Sequence, residues 1–264
     1  MPKLMINKRS YSVKGILFDK DGTLLDFISL WGYWSESLYR NYSSKVLAVA
    51  TDGVIDPISD LWGTVHDAAG HMSDYSRNGP LAMGSIGDLL AILAWQGYRL
   101  GIPWSESMRF ARDSKRLADE EMEQVRPTYP LPGVIDFLKQ CHDQGIPMGI
   151  VTADETAEAE KHLQWLGIRQ FFKVIVGNDL VKQGKPFPEM LNKACLELGL
   201  APNQVALIGD TNSDMQMGNS AGAAVTIGLM INDASESSEC WLKDANVLVS
   251  SYAELHLEES TDEG

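Results

Sequence analysis

Two carboxylates follow a short apolar run near the start of the chain. In the segment KGILFDKDGTLL, which spans residues 14–25, the apolar residues 15–18 lead into Asp19, and Asp21 follows. Such a run is typical of a buried parallel strand that delivers its last residues to the edge where open α/β sheets bind ligands. Residues i and i+2 of a strand face the same side, so both acids are expected to reach one ligand, with a cation or a shared proton between them. By the same rule Lys20 should point away, and it is given no catalytic role.

A second pair of acids lies in the segment GDTNSDM. Asp210 ends the apolar run 205–208, and Asp214 begins a short predicted helix. Acids four residues apart in a turn rich in Gly, Asn and Ser suit a hard divalent cation, which prefers oxygen ligands. The alternative is ordinary turn chemistry with capping of the helix that follows.

Two further polar residues stand beside predicted elements. Thr152 follows the apolar run MGIV, and Lys185 lies in GKPFPEM, just before a predicted helix. Thr152 could bind an anion, or it could be a helix N-cap whose capping box Glu155 completes. Lys185 could add positive charge to the anion site that a helix N-terminus offers, or it could be a solvated surface charge.

The elements that must position these residues fall into two kinds. Helical patterns, with almost no strand signal, cover residues 27–50, 57–69, 87–98 and 103–126, and Ser105 is the expected N-cap of the last. After Pro127 apolar strands alternate with helices: strands at 147–151, 172–176, 205–208, 223–227 and 247–249, and helices at 133–143, 155–166, 188–198 and 214–221. Such alternation predicts a parallel sheet interrupted by a helical insertion. We therefore expect a core of residues 1–25 and 127–264 and a helical domain of residues 26–126.

Composition narrows the class of protein. The chain has 264 residues, is 44% hydrophobic and 22% charged, and has a formal net charge of -14. These are the proportions of an ordinary globular protein, and the negative field disfavours nucleic acid as a partner while leaving a small phosphate ester compatible. There is no apolar run of membrane-spanning length and no signal-peptide pattern, so we expect a soluble, cytoplasmic protein without a membrane partner. Cys141, Cys195 and Cys240 are expected to be reduced thiols, with Cys141 packed in the core.

Taken in order, the segments FDKDGTLL, IVTAD, GKPFP and GDTNSDM, with a helical insertion between the first two, resemble the haloacid dehalogenase superfamily of phosphohydrolases. The chain is similar to the phosphoglycolate phosphatase-like branch, over roughly residues 13–256. The resemblance implies a Rossmann-like parallel sheet in a three-layer α/β/α core, with an all-helical cap domain inserted after the first strand.

The resemblance also implies roles for the polar residues. Asp19 would be the nucleophile that forms an aspartyl-phosphate, and Asp21 the general acid and base. The Asp19 carboxylate, the Asp21 backbone carbonyl, Asp210 and Asp214 would hold Mg²⁺. Thr152 and Lys185, with backbone N–H groups near Gly22 and Ala153, would bind the phosphoryl oxygens.

One departure from the family pattern concerns the residues after Thr152. The family commonly has Asn there, whereas this chain has Ala153 and then Asp154. An amide donor is lost and an acid is added, which affects how the leaving group is held. The presence of Asp21, by contrast, argues against dehalogenases and phosphonatases, in which the family replaces that second acid.

The insertion would close over the site and choose the substrate. Arg77 and Asn78, in a turn-rich loop, are the candidate substrate contacts, with a solvated loop as the alternative. Most of the tryptophans in the insertion are expected to pack its core: Trp31, Trp34, Trp62, Trp95 and Trp104. The five histidines form no ligand spacing and are expected at the surface or in the cap: His66, His71, His142, His162 and His256.

The function expected from these features is a Mg²⁺-dependent phosphatase of a small phosphomonoester, such as 2-phosphoglycolate or a sugar phosphate. A phosphomutase of a sugar phosphate shares every core residue and stays open as an alternative. A phosphate-binding module without activity is a third possibility, disfavoured by the intact set of acids and Lys185. The partner is a small phosphorylated metabolite, and the oligomeric state, monomer or homodimer, is left open.

Overall fold

The computed structural model describes residues 3–50, 52–231 and 242–258. The chain divides into two compact units, one of Met1–Asp26 together with Thr128–Gly264 and one of Phe27–Pro127. We call the first the sheet unit and the second the inserted unit.

The helices and strands follow one another along the chain as follows. The sheet unit begins with β1 (Lys3–Ile6), β2 (Arg9–Ser12) and β3 (Gly15–Phe18). The inserted unit contains α1 (Tyr33–Leu47), α2 (Ile58–Trp62), β4 (Thr64–His66), β5 (Met72–Tyr75), α3 (Pro80–Met83), α4 (Ile86–Arg99) and α5 (Trp104–Val125). The sheet unit resumes with α6 (Val134–Asp143), β6 (Met148–Val151), α7 (Thr156–Trp165), β7 (Phe172–Val176), α8 (Glu189–Leu198), β8 (Val205–Gly209), α9 (Asn212–Ala221), β9 (Val225–Leu229), β10 (Val247–Val249) and β11 (Leu255–Glu258).

The predicted parallel sheet is confirmed. Six strands lie in the order β10-β9-β8-β3-β6-β7, and each pair of neighbours is parallel. β3 is flanked by β6 and β8, and its last residue, Phe18, lies opposite Ile150 of one and Ile208 of the other. The carboxyl ends of β6, β3 and β8 therefore lie side by side, and the residues that follow them share one edge of the sheet.

Helices cover both faces of this sheet. All four residues of β3 are buried. Phe18 packs in one hydrophobic cluster with Phe137 of α6, and Leu17 packs in a separate cluster with Leu191 of α8. A strand buried on both faces must be apolar at every position, which explains the unbroken run that leads into Asp19. The three-layer α/β/α architecture of the core is thereby confirmed.

A second, three-stranded sheet joins the two ends of the sheet unit. Its antiparallel order is β11-β1-β2, with Leu4 opposite Leu257 and Tyr11. The sequence did not predict β1, β2 or β11. The residues of β2, RSYS, are half-buried or exposed and have no apolar alternation, and β11 pairs with a strand at the other end of the chain.

The inserted unit is mainly helical but contains one antiparallel hairpin. The helix predicted over residues 57–69 is wrong after Trp62, because Gly63 ends α2 in the left-handed conformation, with φ of 71°. Thr64–His66 then pairs with Met72–Tyr75. The expectation of an insertion almost without strands fails at this hairpin, since its partners are separated by a turn that interrupts any helical pattern.

The helices α4 and α5 of the inserted unit begin in different ways. Ser85 caps α4, because its side chain accepts from the Asp88 N–H while the Asp88 side chain accepts from the Ser85 N–H. The prediction of Ser105 as the N-cap of α5 is wrong. That helix begins at Trp104, and Pro103, at φ -53° and ψ 140°, precedes it without a side-chain cap.

Tryptophans of the inserted unit differ in exposure. Trp34 and Trp62 are buried and stack with ring centroids 6.4 Å apart, as predicted for a core. Trp95 and Trp104 are 52% and 45% exposed, so for them the prediction of core packing is wrong. Both contact the ring of Tyr98, which is itself half exposed.

Cys141 and Cys195 are free thiols, as predicted, and both are buried in the core of the sheet unit, as predicted for Cys141. Burial raises the pKa of the Cys141 thiol to about 12 and that of Cys195 to about 11. Cys240 lies outside the described residues, as do residues 259–264. Among the described helices, none combines the length and the apolar character needed to cross a membrane.

Candidate active site

Asp19 is the first residue after β3 and is 6% exposed. Its backbone N–H donates to the carbonyl of Ile208 at 2.8 Å, which continues the pairing of β3 with β8. Its Oδ1 atom lies 2.5 Å from Nζ of Lys185, which belongs to the loop before α8. The structure thus brings together two predicted site residues that are 166 positions apart in the chain.

The chain turns sharply after Asp19, and Gly22 makes the turn possible. Gly22 has φ of +77°, and a Cβ atom there would lie 2.2 Å from Oδ2 of Asp210. Its N–H donates to Leu25 O at 2.9 Å, so this predicted phosphate donor is already engaged within the turn. Thr23 Oγ1 donates to Asp210 Oδ1 at 3.2 Å, and the hydroxyl of Tyr252 donates to the Thr23 carbonyl at 2.8 Å. The turn and Asp210 are therefore packed directly against each other.

The loop between β8 and α9 supplies the second pair of acids. Asp210 follows β8, and α9 begins at Asn212, two residues before the predicted start. Thr211 is its N-cap, and Thr211 N–H donates to Asp214 Oδ2 at 3.1 Å. Asp214 Oδ1 lies 2.6 Å from Nζ of Lys185. Asp214 therefore caps its own helix with one oxygen and contacts the Lys185 ammonium with the other.

Three of these carboxylates could share one cation. Asp19, Asp210 and Asp214 each offer an oxygen, and the three oxygens lie within 4.8 Å of one another. Three ionised carboxylates and the Lys185 ammonium sum to a charge of -2, which a divalent ion would balance. Oxygen donors are also the ligands that hard divalent cations prefer. The residues present thus fit a divalent metal ion.

Burial and the close approach of the acids to one another raise the pKa values of Asp19 and Asp210. Burial raises the pKa of Asp19 to about 7, and the charges of Asp214 and Asp21 act in the same direction, while Lys185 opposes them. Burial and the charges of Asp19 and Asp214 raise the pKa of Asp210 well above its usual range. A cation bound among these oxygens would favour their ionised forms.

Thr152 follows β6 and is fully buried. Its N–H donates to Val176 O at 3.0 Å, and its Oγ1 accepts from the Asp154 N–H at 3.2 Å. Because α7 begins at Thr156 with Glu155 as its N-cap, the alternative of a capping box between Thr152 and Glu155 is wrong. Thr152 therefore lies at the same sheet edge as Asp19, followed by the exposed Ala153.

Lys20 does not point away from Asp21, contrary to the strand-based expectation. β3 ends at Phe18, so alternation along a strand no longer applies at Lys20. Its side chain is completely buried, and Nζ donates to Asp21 Oδ1 at 2.8 Å. The same nitrogen lies 3.1 Å from Asp154 Oδ2 and 3.0 Å from His162 Nδ1. We call Lys20, Asp154 and His162 the Lys20 cluster.

The Lys20 cluster was missed from the sequence, although part of a signal was present. Lys20 between two acids and Asp154 in the position after Ala153 are each unusual, and their opposite charges could have been matched. His162 had no such signal, and the expectation that it lies at the surface or in the cap is wrong, since it is 1% exposed within the sheet unit. Burial opposes ionisation of Asp154, but the Lys20 charge and the His162 contact hold the pKa of Asp154 well below its usual range.

The candidate substrate contacts lie in the inserted unit. Arg77 Nη1 donates to Asp74 Oδ1 at 2.9 Å and to Tyr75 O at 2.7 Å, and its guanidinium lies 3.7 Å from the centre of the Tyr75 ring. These bonds tie Arg77 to the end of β5, so it has a local structural role. Asn78 is exposed.

Comparison with known proteins agrees with this architecture. A family model for haloacid dehalogenase-like hydrolases matches residues 13–222. Phosphoglycolate phosphatase of Escherichia coli O157:H7 is 32% identical over 232 residues, which cover 86% of each chain. Pyrophosphatase PpaX of Halalkalibacterium halodurans is 34% identical over 126 residues, covering 43% of this chain and 59% of that protein.

Solved structures share the fold at low sequence identity. A crystal structure from Haemophilus somnus 129PT, described as a predicted phosphoglycolate phosphatase, has a TM-score of 0.60 at 18% identity and covers 90% of this chain and 95% of its own. β-Phosphoglucomutase of Clostridium difficile has a TM-score of 0.58 at 21% identity, with 90% and 91% covered. The match over most of the sequence and the 32% identical relative show the family. This chain therefore belongs to the haloacid dehalogenase-like hydrolase family.

Proposed function

We propose that this protein is a Mg²⁺-dependent phosphatase that hydrolyses a small phosphomonoester through an aspartyl-phosphate. The observation that supports this most directly is the cluster of Asp19, Asp210 and Asp214 around Lys185, at the carboxyl edge of the central strands. A nucleophile, a counter-charge and a set of oxygen ligands are the parts that phosphoryl transfer requires.

Asp19 and Asp21 divide the chemistry between them. In the first step a bond forms between an Asp19 oxygen and phosphorus while the bond to the leaving oxygen breaks, and Asp21 gives that oxygen a proton. In the second step Asp21 takes a proton from a water molecule as its oxygen attacks phosphorus, and the Asp19 carboxylate is regenerated with release of phosphate. Proton transfer of this kind contributes about 10² to 10⁴ in rate.

The remaining residues bind the metal ion and the phosphoryl oxygens. Mg²⁺ would be held by the Asp19 carboxylate, the Asp21 backbone carbonyl, Asp210 and Asp214, and when bound it would offset the repulsion between the anionic nucleophile and the phosphate. Lys185 contacts both Asp19 and Asp214. Lys185 would also bind a phosphoryl oxygen of the substrate. Thr152 and the Ala153 N–H, at the end of the neighbouring strand, are the other phosphate contacts.

The first substrate to test is 2-phosphoglycolate, because relatives of this chain, one of them 32% identical over 86% of its length, are named phosphoglycolate phosphatases. A sugar phosphate is the second. Asn78 remains a candidate substrate contact, and Arg77 is a weaker one because its bonds to Asp74 and Tyr75 already account for its position.

The test is phosphate release from a panel of phosphomonoesters, with Mg²⁺ and with chelator. We expect Mg²⁺-dependent release that Asp19→Asn lowers by at least about 10³-fold, since it removes the nucleophile. Asp136→Asn, which changes an exposed acid of α6, is the matched control and should retain full activity. Undiminished activity of Asp19→Asn would contradict the assigned nucleophile, and isomerisation of a sugar phosphate with little phosphate release would indicate a phosphomutase instead.

A further inference from the structure

The side chain of Asp21 accepts a hydrogen bond from the buried ammonium group of Lys20. Lys20 is fully buried, and its Nζ is hydrogen-bonded to Asp21 Oδ1 at 2.8 Å and to His162 Nδ1 at 3.0 Å and forms an ion pair with Asp154 Oδ2 at 3.1 Å. An ammonium has only donors, so His162 Nδ1 accepts in its contact with Lys20. A buried lysine costs several kcal/mol of desolvation unless it is paired in this way.

The other two residues that contact the Lys20 ammonium, Asp154 and His162, come from different elements, and each is held by contacts of its own. Asp154, in the loop after β6, accepts at Oδ1 from the Glu155 N–H at 2.8 Å, and its carbonyl accepts from Asn178 N–H at 2.9 Å. His162 lies on α7 with its ring centre 5.1 Å from that of Trp165. The position of Lys20 is therefore determined by the packing of β3, β6 and α7 rather than by Asp21.

We propose that Lys20 is a positioning residue for the general acid: anchored by Asp154 and His162, it binds Oδ1 of Asp21 and leaves Oδ2 to exchange the proton with the leaving oxygen. The inference rests on the proposed phosphatase function. In the step concerned, the proton on Oδ2 of Asp21 passes to the leaving oxygen while that oxygen's bond to phosphorus breaks. Asp154 balances the charge of Lys20, so that Asp21 meets a hydrogen-bond donor rather than an uncompensated cation.

The alternative is that the Lys20 cluster only joins the turn after β3 to the loop after β6. The two possibilities differ in which substrates they affect. An aryl phosphate has a stable leaving anion and needs little protonation, whereas an alkyl phosphate depends on the acid. Loss of positioning should therefore lower turnover of the alkyl ester selectively, whereas general distortion of the site should lower both.

The experiment compares kcat/KM for p-nitrophenyl phosphate and for an alkyl phosphate turned over by the wild type. This ratio reports the steps up to departure of the leaving group and omits the later water attack. The variants are Lys20→Met and the double variant Lys20→Met with Asp154→Asn, which leaves no unpaired buried charge if the single variant fails to fold. Lys193→Met, on the exposed face of α8, is the matched control, and Asp21→Asn sets the pattern for loss of the acid itself.

We expect kcat/KM for the alkyl phosphate to fall about 10²-fold in both Lys20 variants, and that for the aryl phosphate to fall less than about tenfold. His162→Asn, which keeps an acceptor near the position of Nδ1, should retain more alkyl phosphatase activity than His162→Leu. Equal losses for the two substrates, or no loss in the folded double variant, would overturn the inference. A wild type without Mg²⁺-dependent phosphate release would instead overturn the proposed function on which it rests.

Discussion

Asp19 is buried between one ammonium and several carboxylates. Lys185 stabilises its ionised form, while burial and the charges of Asp214 and Asp21 disfavour it, and the net effect raises the pKa of Asp19 to about 7. In the unfolded chain the same group has a pKa of about 3.9. Without a metal ion, the fold therefore disfavours the ionised form of Asp19, the proposed nucleophile, near neutral pH.

This difference predicts how stability varies with pH without metal. Because the folded pKa is raised, the contribution of Asp19 is fully present below about pH 4 and is lost as pH rises through about 7. Asp19→Asn removes this titration. In chelator, we expect the melting temperature of Asp19→Asn relative to that of the wild type to increase between pH 5 and pH 8. A difference between the two melting temperatures that stays constant from pH 5 to pH 8 would contradict the raised pKa of Asp19. Saturating Mg²⁺ should reduce the pH dependence of this difference.

At the scale of elements, the site depends on two sharp junctions, β3 to its turn and β8 to α9. Each needs a glycine because an aspartate side chain occupies the space. A Cβ atom at Gly209 would lie 2.6 Å from the Cβ of Asp214, and one at Gly22 would lie 2.2 Å from an oxygen of Asp210. Gly22 thus allows the two acid-bearing segments to approach each other closely, and Gly209 allows Asp214 of α9 to pack against the end of β8.

Gly22→Ala and Gly222→Ala separate backbone strain from disturbance of the site. Both glycines have φ of +77°, but nothing lies within 4 Å of a Cβ added at Gly222, where α9 ends. Both substitutions should cost about 1 kcal/mol from the left-handed backbone. Only Gly22→Ala displaces Asp210, so we expect its phosphatase activity and Mg²⁺ affinity to fall at least about tenfold, with Gly222→Ala close to wild type. Equal effects of the two on Mg²⁺ affinity, measured by calorimetry, would contradict this account.

At the scale of the whole molecule, the chain builds a separate core in each unit. Leu93 of α4 is completely buried in the inserted unit, whereas Ile208 of β8 is completely buried in the sheet unit, two residues before Asp210. All the proposed metal ligands belong to the sheet unit. A core substitution in the inserted unit should therefore lower the stability of that unit without weakening metal binding, whereas one in the sheet unit near Asp210 should affect both.

Leu93→Ala and Ile208→Ala test this separation. Each should lower the free energy of unfolding of its own unit by about 2–5 kcal/mol, because each leaves a cavity. We expect Leu93→Ala to leave the Mg²⁺ dissociation constant unchanged and Ile208→Ala to increase it, since β8 positions Asp210. Amide hydrogen exchange, measured with and without Mg²⁺, would show which unit each substitution destabilises and which unit Mg²⁺ protects. A Leu93→Ala protein that binds Mg²⁺ as weakly as Ile208→Ala would show that the two cores are coupled.

Local patterns were sufficient for much of the fold. Apolar runs of strand length at residues 15–18, 148–151 and 205–208 predicted the three central strands, because a strand buried on both faces must be apolar throughout. The strands β1, β2 and β11 were not predicted, because β11 pairs with β1 at the other end of the chain and the sequence of β2 has no apolar alternation. The hairpin after Gly63 was missed because its strands have only three and four residues and a turn separates them.

The sequence by itself determined that Asp19 and Asp210 stand at the carboxyl ends of two central strands, whereas the meeting of Asp19 and Asp214 with Lys185 was expected only from the family resemblance. Parallel pairing brings such ends to one edge whatever the details of the loops. Only the tertiary structure decided where each side chain turns once its strand has ended. Past Phe18 the alternation of a strand no longer applies, so the burial of Lys20 against Asp21, Asp154 and His162 depends on the packing of three elements rather than on any local pattern.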